Sequence, residues 1–249
     1  MMSMNSSAAP AFVLKPAEAY FANPQTLALL QAARQGDLAQ ARSLVARGAD
    51  PDDEGPRDNP ANRLRLLHYA IAAQDKQALR VLAEVGADPE KATPGFGPAL
   101  MFAIMLDHTE MLGLLLDIRP YARLKPQTQE TLLFRSVALP RPRSLTVLLQ
   151  RGAPIDQADS AGYTILLRAM GAQDYEMAAQ LLEQGASLRV EAATGATPAN
   201  TVQSHLLKFK PGTSQHAQVL KLKSQMEARG VVFPVPTPQQ LREARPTTK

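Results

Sequence analysis

Any chemistry in this chain would have to come from four histidines, a short run of acids and one glycine pair. His68, His108, His205 and His216 are scattered, and no two sit at a metal-ligand spacing. Asp50-Pro51-Asp52-Asp53-Glu54-Gly55 has the alternating acids of a calcium loop, but Ala61 stands where a bidentate Glu should close it. Those acids read instead as a solvated finger. Gly95-Phe96-Gly97 lacks both a third glycine and a preceding strand, so it cannot be read as a phosphate cradle. There is no Cys, which removes thiol nucleophiles, thiolate zinc sites and disulfides. A Gly-x-Ser-x-Gly elbow is also missing. The expectation is a protein that is not an enzyme, with no catalytic residue, no metal and no cofactor.

The elements around these residues are more informative, because they repeat. Arg47-Gly48-Ala49-Asp50-Pro51, Val85-Gly86-Ala87-Asp88-Pro89, Arg151-Gly152-Ala153-Pro154 and Gln184-Gly185-Ala186-Ser187 each follow a leucine-rich stretch. Gly86 to Gly152 spans 66 residues and Gly152 to Gly185 spans 33, with Arg119-Pro120 at the midpoint of the longer gap. The first interval, 38 residues from Gly48 to Gly86, is stretched by an insert from Asp52 to Pro60. Each unit opens on a short apolar helix with a small residue: Leu67-His68-Tyr69-Ala70, Leu100-Met101-Phe102-Ala103, Leu133-Phe134-Arg135-Ser136, Leu166-Leu167-Arg168-Ala169. A polar turn and a second helix follow, and glycine ends that helix in the left-handed conformation that costs least without a Cβ. A single hairpin of this size cannot bury both apolar faces, whereas a stack of them builds one continuous core.

These features resemble the ankyrin repeat family. Leu67-His68-Tyr69-Ala70 is similar to the Thr-Pro-Leu-His-x-Ala signature without its first two positions, Gly162-Tyr163-Thr164-Ile165-Leu166 keeps Gly-x-Thr-x-Leu, and Thr197-Pro198-Ala199 keeps Thr-Pro. The resemblance implies an all-α, ankyrin-type helical solenoid of about five full repeats plus a longer C-terminal capping unit. The expected organisation is a loosely ordered leader at 1–23, repeats at about 24–56, 57–93, 94–126, 127–159 and 160–193, a cap at 194–232, and an extended Pro-rich tail at 233–249. In that family the signature histidine ties neighbouring turns together, and His68 alone occupies its slot.

The resemblance also implies a concave face that carries the residue just before each small position of the first helix. In this chain that column reads Tyr69, Phe102, Arg135 and Arg168. Tyr and Arg are common interface anchors, although Tyr69 and Phe102 could equally pack between helices. Neither arginine occupies a core slot, so their replacement is expected to leave the fold intact. Function is expected to be the binding of a protein partner through this face and the turn fingers, Asp52, Asp53 and Glu54 included. The alternatives are an immunity or inhibitor protein that neutralises a toxic effector and, second, a nucleic-acid-associated protein.

Net charge is +4, with 10 basic and 13 acidic residues before position 111 and 17 basic and 10 acidic after it. Such an asymmetry can orient a charged partner. The basic residues form no run, so nucleic acid is not expected as a partner. No stretch nears the roughly 18 apolar residues of a membrane span, and Met1 to Pro10 does not read as an export signal. These features suggest a cytoplasmic monomer without a membrane association, or a periplasmic protein if an export signal precedes the residues given.

Overall fold

The leucine-rich segments that close on glycine are helices in the computed structural model of the chain, which describes residues 13–55, 63–139 and 142–244. The chain divides into two compact units, 1–124 and 125–249. The first holds three hairpins: α1 (Pro24–Gln35) with α2 (Leu38–Ala46), α3 (Leu66–Ala72) with α4 (Lys76–Glu84), and α5 (Ala99–Met105) with α6 (Thr109–Ile118). The second holds α7 (Pro126–Ala138) with α8 (Pro142–Gln150), α9 (Ile165–Gly171) with α10 (Tyr175–Glu183), and α11 (Pro198–Lys208) with α12 (Ser214–Ala228), followed by α13 (Pro238–Glu243).

Four of the hairpin turns share one device. The residue before the second helix is left-handed at Gly36, Gln74, Asp107 and Gln173. An Asp then caps that helix: Asp37 accepts from the Gln40 N–H at 2.8 Å, Asp75 from Ala78 at 2.9 Å and Asp174 from Met177 at 3.0 Å. His108 takes this place in the third hairpin without capping it. Its ring instead bonds back to the Ile71 carbonyl at 3.0 Å and to Gln74 at 3.1 Å, joining two hairpins. Second helices end at Gly48, Gly86, Gly152 and Gly185, all left-handed. The following Ala49, Ala87, Ala153 and Ala186 are buried and donate back to Leu44, Leu82, Leu148 and Leu181.

The core of the first unit is Leu29, Leu66, Ile71, Leu79, Leu82, Leu100 and Ile104, all fully buried. Successive fingers are stapled by a repeated contact. Asp52 accepts from the Asp88 N–H at 2.8 Å, and in the second unit Asp156 accepts from the Ser187 N–H at the same distance. At the degenerate copy Arg119 ends α6, and its guanidinium bonds Asp88 and the buried Glu90, each at 3.0 Å. The charge pair replaces the missing Gly-Ala ending.

Two expected segments are corrected. The leader lies partly outside the described residues (1–12), but residues 13–23 are not loose: Ala17–Ala19 form a 3-10 turn, and Tyr20 and Phe21 are buried. Gly55 is required here, because a Cβ on it would fall 1.7 Å from the Tyr20 carbonyl oxygen. It belongs to β1 (Glu54–Gly55), which pairs antiparallel with β2 (Leu64–Arg65). The insert residues 56–62 between the two strands lie outside the described residues, as do Pro140 and Arg141 of the proline-rich turn.

The tail is the second correction, for it is not simply extended. Gln203 both donates to the Val235 carbonyl and accepts from its N–H (2.9 and 2.8 Å), and Thr237 caps α13 with a reciprocal Gln240 bond. Residues 245–249 are outside the described residues.

Candidate partner-binding groove

Helix α7 buries Leu132, Leu133, Ser136 and Val137. Its other stripe, Gln127, Thr131, Arg135 and Ala138, is exposed at helical spacing. α9 packs beside it, starting at Thr164, whose hydroxyl caps the Leu167 N–H, and turning Arg168, Gly171 and Ala172 outward. Between them lies an open groove of about 860 Å³. Phe134, Val137 and Leu167 supply apolar lining, while Glu130, Arg135, Asp159 and Arg168 supply charge.

The finger before α9 builds one wall of this groove. Gly162 is left-handed and closes a turn in which the Asp159 carboxylate accepts the N–H groups of Ala161 and Tyr163, both at 2.9 Å. The other carboxylate oxygen receives Arg168 through Nε at 3.1 Å and through Nη2. The Arg168 guanidinium also lies 4.6 Å from the Tyr163 ring centroid, a cation–π contact. Burial acts to raise the Asp159 pKa. The bonds from Arg168, Tyr163 and Ala161, with the Arg168 charge, outweigh it and hold the carboxyl below its usual value. Arg168 is thus fixed in place. Arg135, by contrast, is exposed, and its guanidinium has no hydrogen bond or ion pair among the described residues.

The sequence-derived column separates into two kinds of residue. Arg135 and Arg168 come together on this groove. Tyr69 and Phe102, in the first unit, are not exposed on a face but buried in its core. Tyr69 is 6% exposed, edge-on to Tyr20 and close to Phe21, with its hydroxyl on the Lys15 carbonyl at 3.3 Å. Phe102 is 1% exposed and packs on Phe96 and His68. In each case the covering aromatic comes from outside the repeated helices, from the segment before α1 for Tyr69 and from the finger before α5 for Phe102.

The acidic finger is corrected too, since its carboxylates are held from inside the unit. Asp53 accepts from Thr26 at 2.5 Å, Asp52 pairs with Lys91 at 3.2 Å as well as the Asp88 N–H, and Glu54 lies 3.6 Å from Arg65. They staple the structure and do not present a free acidic surface. His68 ties hairpins as the resemblance implied: its Nε2–H donates to the Gly97 carbonyl at 2.9 Å. Sequence reasoning did not single out Phe134, Asp159 or Tyr163 for the groove. Gly162-Tyr163-Thr164 was legible as a turn, but the Asp159–Arg168 bond spans 9 residues across it and has no local signal.

Among the described residues no group of three His, Cys, Asp or Glu side chains could hold a metal. No helix among them is long and apolar enough to cross a membrane.

Residues 29–125 match the family model for ankyrin repeats, in three copies. No curated protein matches the sequence. Among solved structures, the chain is similar to the ankyrin repeat domain of Bcl-3, a member of the IkappaB protein family. The identity is 21%, the TM-score is 0.62, and 86% of this chain and 92% of that one are covered. It is also similar to an ankyrin repeat domain from Acinetobacter baumannii AYE, at 19% identity and a TM-score of 0.53, covering 78% of this chain and 97% of the other. At such identities the likeness establishes the fold.

Proposed function

Because residues 29–125 match the ankyrin repeat family model and the chain has the fold of ankyrin repeat structures, we propose that it is a non-enzymatic protein-binding module whose contact surface is the groove between α7 and α9. Ankyrin repeats are in general protein–protein interaction modules, and the fold alone names no surface. The observation that carries the choice is the groove itself, where apolar side chains adjoin an unpaired Arg135 and a preset Arg168. Apolar lining with a few convergent polar groups is how binding sites combine affinity and orientation. The fingers are less suited to the role, since Asp52, Asp53 and Glu54 already have partners within the unit.

The test uses the full chain and a partner isolated with it from the native host. A photoreactive side chain placed at Ala172, in the groove, should cross-link that partner. The same group at Arg42, an exposed residue of α2, should not. Cross-linking at Arg42 alone, or equally at both positions, would place the contact surface elsewhere.

A further inference from the structure

Resting on the reading of the groove as the contact surface, we infer that its occupant is an acidic protein segment in which a carboxylate side chain adjoins a large apolar one. Three observations converge on this chemistry. Arg135 stands exposed on the groove stripe of α7 with no counter-ion among the described residues. Arg168 already spends two donors, on Nε and Nη2, on Asp159. One face of its guanidinium lies over Tyr163. The vacant cationic position is therefore Arg135, and Arg168 acts as an oriented wall beside it. Phe134, the immediate neighbour of Arg135, and Leu167 from the facing helix supply apolar lining next to that charge.

An arginine fork takes a carboxylate with two parallel bonds, and such charge-assisted contacts strengthen when an adjoining apolar group excludes water. The apolar side chain of the occupant provides that exclusion by lying against Phe134 and Leu167. A basic segment would meet Arg135 unfavourably, and the Asp159 carboxylate cannot offset this because Arg168 already occupies it. Glu130 adds one acidic group to the lining. It is one turn before Phe134 on α7, so a basic side chain of the occupant can extend in that direction without opposing Arg135.

The probe is a random peptide library displayed on phage and selected on the full-length chain. It is run in parallel on Arg135→Glu and on Ala138→Trp, each confirmed as folded by circular dichroism. Ala138 is exposed on the groove lining, so a bulky neutral side chain there obstructs any occupant without altering charge. Selected peptides should be enriched in Asp or Glu next to Leu, Phe or Trp. Their affinity should fall about tenfold or more on Arg135→Glu, with selection on that variant shifting toward basic residues, and they should be lost on Ala138→Trp.

Peptides that lose binding on Ala138→Trp but show no acidic preference, or keep it on Arg135→Glu, would overturn the acidic occupant and leave the groove reading standing. Peptides indifferent to Ala138→Trp, or a library returning no binder, would overturn both.

Discussion

His68 shows how a single buried group sets the response of this fold to acid. Burial, set against the bond to the Gly97 carbonyl and aided by the Arg65 charge, lowers its pKa from 6.5 to about 4. The ring is therefore neutral at neutral pH. Its Nε2–H is used, while Nδ1 is buried without a hydrogen-bond partner among the described residues. Because the folded pKa is depressed, the unfolded chain binds a proton the native chain does not whenever the pH lies between these values. Stability is present in full above pH ~6.5 and falls as the pH drops toward about 4, where the loss levels off. The expected loss is about 3 kcal/mol. Urea unfolding at successive pH values should show this slope in the parent chain and a flatter one in His68→Gln. A folded-state His68 titrating near 6.5 by NMR would contradict it.

At the same scale, the two groove arginines are not equivalent. Arg135→Gln removes no contact and should change stability by no more than about 0.5 kcal/mol. Arg168→Glu sets a second carboxylate against Asp159, which is only 11% exposed, and should cost about 1–3 kcal/mol. The sequence alone treats both as free surface residues. Only the finger that brings Asp159 and Tyr163 against one of them distinguishes the two, so binding tests that use Arg168 need a stability control.

Among the elements, the hairpin turns explain why some of the fold was legible and some was not. The Gly-Ala endings could be read because glycine suits a left-handed helix end, and Gly48, Gly86, Gly152 and Gly185 all adopt it. The preceding turns need the same conformation, yet three of the four use Gln74, Asp107 and Gln173. Residue type gives no warning there, because the tertiary stack holds the strain. Gln173→Gly should relieve it and raise stability by about 0.5–1 kcal/mol, read as a higher urea midpoint, since the left-handed penalty exceeds the entropy that glycine costs.

The aromatic pair was misplaced for a related reason. A 33-residue register identifies the position of Tyr69 and Phe102 but carries no information about the residues outside the repeated helices, Tyr20, Phe21 and Phe96, that cover them. Composition likewise marked the tail as proline-rich without showing that it docks. Gly195 makes this testable: its φ is +79°, and a Cβ there would lie 2.3 Å from the Pro238 carbonyl oxygen. Gly195→Ala should release the segment from Val235 to Glu243 and speed its removal by limited proteolysis. An unchanged cleavage rate would show that the segment is not held at this contact.

For the molecule as a whole, charge decides between a protein and a nucleic acid as the partner. A net charge of +4 and the excess of basic residues after position 110 invite the second alternative. Nucleic-acid affinity, however, depends on how many phosphates a surface can neutralise together, because each contact releases counterions. Several cations of the chain are already engaged with carboxylates: Arg119 with Asp88 and Glu90, Arg168 with Asp159, Lys223 with Glu227, and Lys76 with Glu110. Others are directed inward, such as Arg65, whose guanidinium bonds the Ala92 and Asp52 carbonyls. Pairing of this kind lowers the density of unpaired charge that a phosphate backbone needs, while one open arginine suffices for one carboxylate. Duplex DNA should therefore bind no tighter than ~10⁻⁶ M at physiological salt, the range of non-specific association, and equally for unrelated sequences in a gel-shift assay. The acidic peptide selected on the groove should in contrast keep part of its affinity as salt rises, because its apolar contact is not screened. A tight, sequence-selective DNA shift that survives Arg135→Glu would reverse this ordering and make nucleic acid the partner.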